Sequence, residues 1–153
     1  SVLKPVRGLD PEAAENFASF CRQDYPNYEV LFGVQDPQDP AVEVIRRIQL
    51  QHPDVDVRLV VSNRRVGPNL KVCNLHNLLP HATGALLVIS DADMRVDPGY
   101  LREIAAYFAD PEVGLVTSPY RGEGVRGLAS ALESLGIATE FFPGVAVASE
   151  LAS

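Results

Sequence analysis

Two carboxylates one residue apart, Asp91 and Asp93, close the apolar run Ala85-Leu86-Leu87-Val88-Ile89-Ser90. A short run of this kind reads as a strand buried on both faces of a parallel sheet. In an extended segment, side chains at i and i+2 share a side, so the pair can converge on one point. Carboxylates that close resist joint ionisation unless a cation sits between them. Hard oxygen donors suit Mg²⁺ or Mn²⁺. The bland alternative makes Asp91 the start of a turn and Asp93 a cap, and the tripeptide alone fits both.

The elements that must position this pair alternate along the chain. Ser1 to Lys4 reads as a strand closed by Pro5 and Gly8. Asp10-Pro11-Glu12 then opens a helix whose inward stripe is Ala14, Phe17, Ala18 and Cys21. Tyr28–Val34 is a second strand, and Asp39-Pro40 starts a helix with Val44, Ile45 and Ile48 inward. Val57–Val61 is a third strand, followed by Asn69–Leu79 as a helix that buries Val72, Leu75 and Leu79 and exposes Lys71, Asn74 and Asn77. After the aspartate strand, Asp97-Pro98 opens a helix with Leu101, Ile104, Ala105 and Phe108 inward. Val113–Thr117 reads as a fifth strand and Gly127–Thr139 as a final helix. This alternation predicts βαβ units and a mostly parallel sheet with helices on both faces. Ligands of such sheets bind beyond the carboxyl ends of the strands, where strand order reverses. That rule places Lys4 to Arg7, Asp36, Arg64-Arg65 and Asp91–Asp93 along one rim.

The rim is chemically coherent. Asp36 follows a strand directly and can accept hydrogen bonds from a base or a ribose. Asp39 is a second candidate, although a helix cap already accounts for it. Lys4 and Lys71 are the chain's two lysines, and both map to the rim. With Arg64 and Arg65, Lys71 could face a diphosphate bridged by a divalent ion on Asp91 and Asp93. A glycosidase is disfavoured, since its carboxylates stand about 5–9.5 Å apart across a sugar. A nucleotidyltransferase would show a richer phosphate loop than Lys4-Pro5-Val6-Arg7-Gly8, and a non-catalytic nucleotide-binding module remains an alternative.

Composition narrows the classes. At 153 residues, 46% apolar and 22% charged, the chain reads as one soluble α/β domain. A net charge of −7 argues against a nucleic-acid binder. Cys21 and Cys73 make no disulfide framework and read as small buried hydrophobes. The apolar stretch Phe141–Ala148 suggests a patch that could drive self-association.

The chain resembles the ceramide glucosyltransferase family of inverting GT-A glycosyltransferases, with bacterial ceramide- or hopanoid-associated members similar around Asp91-Ala92-Asp93-Met94-Arg95. The matching stretches are Leu3-Lys4-Pro5 with Arg7-Gly8, Asp24-Tyr25-Pro26, Val34-Gln35-Asp36 through Asp39-Pro40-Ala41, Val66-Gly67 with Asn69, Lys71 and Asn74, Ser90–Val96, and Val113-Gly114-Leu115-Val116 with Pro119-Tyr120. The resemblance implies a GT-A fold, a UDP-sugar donor (glucose), a lipid acceptor such as ceramide, and a divalent metal, Mn²⁺ or Mg²⁺. It implies donor contacts from Lys4, Pro5, Asp36, Asp39, Lys71, Asn74 and Asp91, with Asp91 and Asp93 on the metal. It further implies membrane segments outside this chain and work at the cytosolic face. The family's third aspartate and its Gln/Arg-x-x-Arg-Trp motif lie downstream, and this sequence contains no tryptophan. The expectation is therefore a donor-binding part, residues 1–153, whose general base lies beyond it and which does not transfer sugar alone.

Overall fold

The computed structural model describes residues 1–118. Within them, residues 1–113 form one compact unit, built in the order β1 (Val2–Val6), α1 (Ala13–Phe20), β2 (Glu29–Val34), α2 (Ala41–Gln51), β3 (Asp56–Val61), α3 (Leu70–Leu78), β4 (Val88–Ile89) and α4 (Tyr100–Tyr107). The sheet is all parallel with order β3-β2-β1-β4. Strand order therefore reverses between β1 and β4, which opens a crevice at their carboxyl ends.

One face of the sheet packs on α1 and α2 through Val2, Val6, Phe17, Phe20, Val30, Phe32, Val34, Ile45 and Ile48. Phe17 and Phe32 meet with ring centroids 5.0 Å apart, tilted by 52°. The other face packs on α3 through Leu3, Leu31 and Leu78. That split follows the two-residue period of the strands. It puts Lys4 on the α1 face, between Val2 and Val6.

Several local expectations are corrected. β1 runs on to Val6, through a buried Pro5 that pairs in register with Gly33. Leu3 offers its carbonyl to Ser90, just past β4, so the groups of Pro5, two residues on, also face the β4 side. β4 has ended there, and the missing N–H of proline leaves no ladder bond unmade. α1 begins only at Ala13, with the Asp10 carbonyl rather than its carboxylate receiving the Ala13 N–H. Ala13 is buried in place of Ala14, and Asn16 and Ser19 lie inward beside Phe17 and Phe20. Among the described residues β4 is a two-residue outer strand, not a fully buried one: β1 pairs it on one side, and Leu87 and Ile89 stay exposed. Val113–Thr117 forms no strand, since none of its backbone groups enters a ladder. The expected helix Gly127–Thr139 and the apolar stretch Phe141–Ala148 lie outside the described residues.

The sharpest correction is the rotation of α3. Val72 and Leu79, expected inside, are exposed, while Cys73, Asn74 and Leu78 are buried. Asn74 donates its Nδ2 hydrogen to the Gly33 carbonyl at 2.8 Å. A Cβ at Gly33 would stand 2.1 Å from Asn74 Oδ1. A bare backbone at Gly33 thus lets a polar residue anchor the helix where an apolar one was expected. Both cysteines are free and buried, as their composition suggested.

Candidate functional site

The aspartate pair sits at the crevice between β1 and β4, but not as an extended segment. Ala92 and Asp93 form a turn, in which the Met94 N–H donates to the Asp91 carbonyl at 3.3 Å. The backbone that carries the two carboxylates is thus a turn rather than an extended strand end. Both are exposed.

The backbone of the turn is held from beneath. Lys4 is 0% exposed, and its ammonium donates to the Asp91 carbonyl at 2.7 Å and to Ser90 Oγ at 3.2 Å. It also lies 3.8 Å from the centroid of the Phe20 ring, a cation–π contact that offsets part of its desolvation. Burial lowers the Lys4 pKa to about 7, against the opposing pull of the Asp93 and Asp91 charges. Lys4 and Pro5 are therefore interior, not on the surface of the rim as expected.

The segment after the turn is stitched to α1 and the residues just after it by polar side chains at i, i+3 and i+7. Asn16 donates to the Asp93 carbonyl at 3.0 Å, Ser19 Oγ accepts from Val96 N–H at 3.2 Å, and Gln23 bonds both the Asp97 carbonyl and the Leu101 N–H. Arg95 reaches back to Asn16 and Glu12. Sequence reasoning missed this ladder. Its signal was there: Asn16 and Ser19 lie beside Phe17 and Phe20 on α1, and Gln23 continues their helical spacing just past its end.

On the neighbouring strand ends lies a pocket of about 290 Å³, lined by Arg7, Gln35, Asp36, Asp39, Asn63, Arg65 and Leu70. Asp36 is exposed, and its Oδ1 accepts the Gln38 N–H at 2.9 Å. Its Oδ2 takes no hydrogen bond among the described residues. Asp39 is committed on both oxygens, to Ala41 N–H at 2.9 Å and Gly8 N–H at 2.8 Å. Gly8 has φ +75°, a left-handed turn that glycine makes without strain. Asp39 thus clamps the β1 loop to the start of α2, and Asp36 is the carboxylate left for a ligand. Arg64 and Arg65 are separated: Arg65 lines this pocket, whereas Arg64 turns to an open groove of about 750 Å³ along the outer edge of β3 with Arg58, His76 and His81. That groove holds none of the acids.

α3 bridges the pocket and the turn. Asn69 caps the helix, accepting from the Lys71 and Val72 N–H groups at 3.0 and 3.1 Å, so two of its first-turn donors are already engaged. Leu70 lines the pocket, and the Lys71 ammonium forms an ion pair with the Asp91 carboxylate. Asn74 and Asn77 face backbone instead, Asn77 donating to the Arg64 carbonyl at 3.0 Å.

The donor set fits a divalent cation. Asp91 already accepts a positive charge, and both acids are hard, exposed oxygen donors. No third His, Cys, Asp or Glu joins them among the described residues. That suits Mg²⁺ or Mn²⁺, which are usually held by one or two carboxylates and complete their shells with water and phosphate oxygens.

Residues 1–153 match the family model for glycosyl transferase family 21. The chain belongs to that family. Ceramide glucosyltransferase 3 of Caenorhabditis elegans is 34% identical over 123 residues, covering 78% of this chain and 27% of that protein. Ceramide glucosyltransferase of Candida albicans is 30% identical over 115 residues, covering 67% and 21%. The family 21 chain thus spans about a quarter of the length of these relatives. Among solved structures, mannosyltransferase PcManGT from Pyrobaculum calidifontis, in complex with GDP-Man and Mn²⁺, superposes with TM-score 0.66 at 31% identity over 77% of this chain and 35% of that one. S. aureus TarS 1–349 in complex with UDP-GlcNAc shares the fold at TM-score 0.62, 17% identity, 82% and 36% coverage. The fold is the GT-A α/β arrangement. No helix among the described residues is long and apolar enough to cross a membrane.

Proposed function

We propose that this family 21 chain is the donor-binding part of an inverting glycosyltransferase that passes glucose from a UDP-sugar to a lipid acceptor such as ceramide. The observation that carries the reading is the aspartate turn at the β1/β4 crevice, with a pocket bearing Asp36, Arg7 and Arg65 on the adjoining strand ends. The ceramide glucosyltransferase relatives support the acceptor class, and the GDP-Man and Mn²⁺ complex of PcManGT supports a metal-bridged nucleotide-sugar.

In this reading, Asp36 takes hydrogen bonds from the uracil or ribose, and Arg7 and Arg65 add positive charge beside them. Asp91 and Asp93 would hold the divalent cation. Bound there, Mn²⁺ or Mg²⁺ supplies Lewis-acid stabilisation of the charge on the departing diphosphate. Lys4 contributes by position: it keeps the turn docked on β1 without touching the ligand. Asp39 and Asn74 act likewise, fixing the β1 loop and α3. Inversion needs a base on the acceptor side, and these 153 residues are expected to bind donor without turnover. Membrane attachment at the cytosolic face belongs to the longer polypeptide in this proposal. Family membership favours a glycosyltransferase over the nucleotidyltransferase-like and non-catalytic readings.

Calorimetric titration of UDP with Mn²⁺, then with EDTA, tests this directly. Binding should require the metal and vanish in Asp91→Ala/Asp93→Ala. Metal-independent binding, or none by the full-length protein, would remove the reading.

A further inference from the structure

Two ammonium groups approach the aspartate turn, and they are held in opposite ways. Lys4 is 0% exposed, pinned by Ser90, the Asp91 carbonyl and the Phe20 ring. It has nowhere to go. The Lys71 side chain is 49% exposed, and its partner is the 51% exposed carboxylate of Asp91. Its backbone is fixed by the Asn69 cap, while a flexible four-carbon stem carries its charge. The residue before it, Leu70, lines the Asp36 pocket. The stem of Lys71 is thus rooted one residue from the nucleotide pocket while its ammonium rests on Asp91.

Resting on the donor-site reading above, we propose that Lys71 is a displaceable counter-ion. It neutralises Asp91 while the site is empty, yields that carboxylate to the incoming divalent cation, and transfers its ammonium to the diphosphate that arrives with the metal. An exposed pair of single charges is weakly held, and a divalent cation on the same oxygens outcompetes it. Releasing Lys71 beside a newly bound diphosphate gives the ammonium a second, more highly charged partner. The exchange forms and breaks no covalent bond. It links metal and nucleotide binding: Lys71 opposes the metal alone and favours the metal with nucleotide.

That opposition of sign is the test. In Lys71→Met, Mn²⁺ alone should bind about two- to fivefold more tightly, because its competitor is gone. UDP at saturating Mn²⁺ should bind about tenfold more weakly, having lost a charge-assisted contact. Lys71→Arg, which keeps the charge, should stay near the parent in both titrations. A second readout needs no variant. The chain has two lysines and one is fully buried, so acylation by an amine reagent, followed by mass spectrometry, reports on the Lys71 side chain. Mn²⁺ alone should speed that labelling, and adding UDP should slow it again. If both affinities weaken in Lys71→Met, Lys71 merely props Asp91 and the exchange is overturned. Unchanged affinities, or labelling indifferent to Mn²⁺ in a protein that binds Mn²⁺ and UDP, overturn it as well. If the parent protein binds neither Mn²⁺ nor UDP, the donor-site reading falls first and the exchange with it.

Discussion

The two ends of the sheet treat their carboxylates differently. At the amino end, Glu29 is buried on β2 and surrounded by donors from its own chain: Ser1 Oγ, the Thr83 N–H and hydroxyl, and the Arg58 guanidinium. Burial would raise its carboxyl, but those hydrogen bonds and the Arg58 charge outweigh burial and hold it at about 2. Arg58 also pairs with Asp56 and donates to the His81 carbonyl at 3.1 Å. At the carboxyl end, Asp91 and Asp93 are exposed, with one ammonium on the side chain of Asp91 and another beneath the backbone. One end is saturated by its own chain. The other is left under-coordinated, as the proposed donor site requires.

The comparison can be broken most forcefully at Glu29. Glu29→Ala leaves Arg58, Thr83 and Ser1 without their shared acceptor and should cost roughly 3 kcal/mol in urea denaturation. UDP affinity per folded molecule should stay put. A mutant that loses binding in step with metal affinity would show that the two ends are coupled. The converse variant, Asp91→Ala/Asp93→Ala, should lower metal-dependent UDP affinity about a hundredfold or more and leave stability within about 0.5 kcal/mol, as expected for exposed side chains.

Acid titration sharpens the contrast. Because Glu29 is ionised more readily folded than unfolded, its contribution is complete above about 4.5 and is lost as pH falls toward about 2. Roughly 2–3 kcal/mol of stability should disappear across that window, and Glu29→Gln should flatten that limb of the curve. A parent curve already flat between those pH values would contradict the assignment.

The smallest effect is expected at Lys4. Its folded pKa, about 7, lies below the ordinary 10.5, so between those values the unfolded chain binds more protons and stability rises with pH. Lys4→Met should remove that slope and cost less than about 1 kcal/mol at neutral pH, because a buried charge gives way to a well-fitting apolar chain. Hydrogen exchange at Ala92–Met94 should nevertheless quicken, since the turn loses its strut. Unchanged exchange there would mean that Lys4 does not position the turn.

Much of this molecule was legible in the order of its residues. The β/α alternation, the inward stripe of α2, the rim rule and the aspartate pair follow from periodicity and from the chemistry of hard oxygen donors, whereas of the stripe expected on α4 only Leu101 is buried. Misreadings arose where a polar residue is buried against backbone. Lys4 shares a period-two face with Val2 and Val6, and Asn74 fills the space that Gly33 leaves open, yet composition treats lysine and asparagine as surface residues. The rotation of α3 accommodates that fit, which no helical pattern encodes. Asp36 and Asp39 look equivalent in sequence and differ only because Gly8 and Ala41 take up the second carboxylate. Sequence by itself determined which groups could do chemistry and at which end of the strands they would gather. Tertiary structure decided which of them remain free to do it, because hydrogen bonds and burial between distant segments consume some charged groups and spare others.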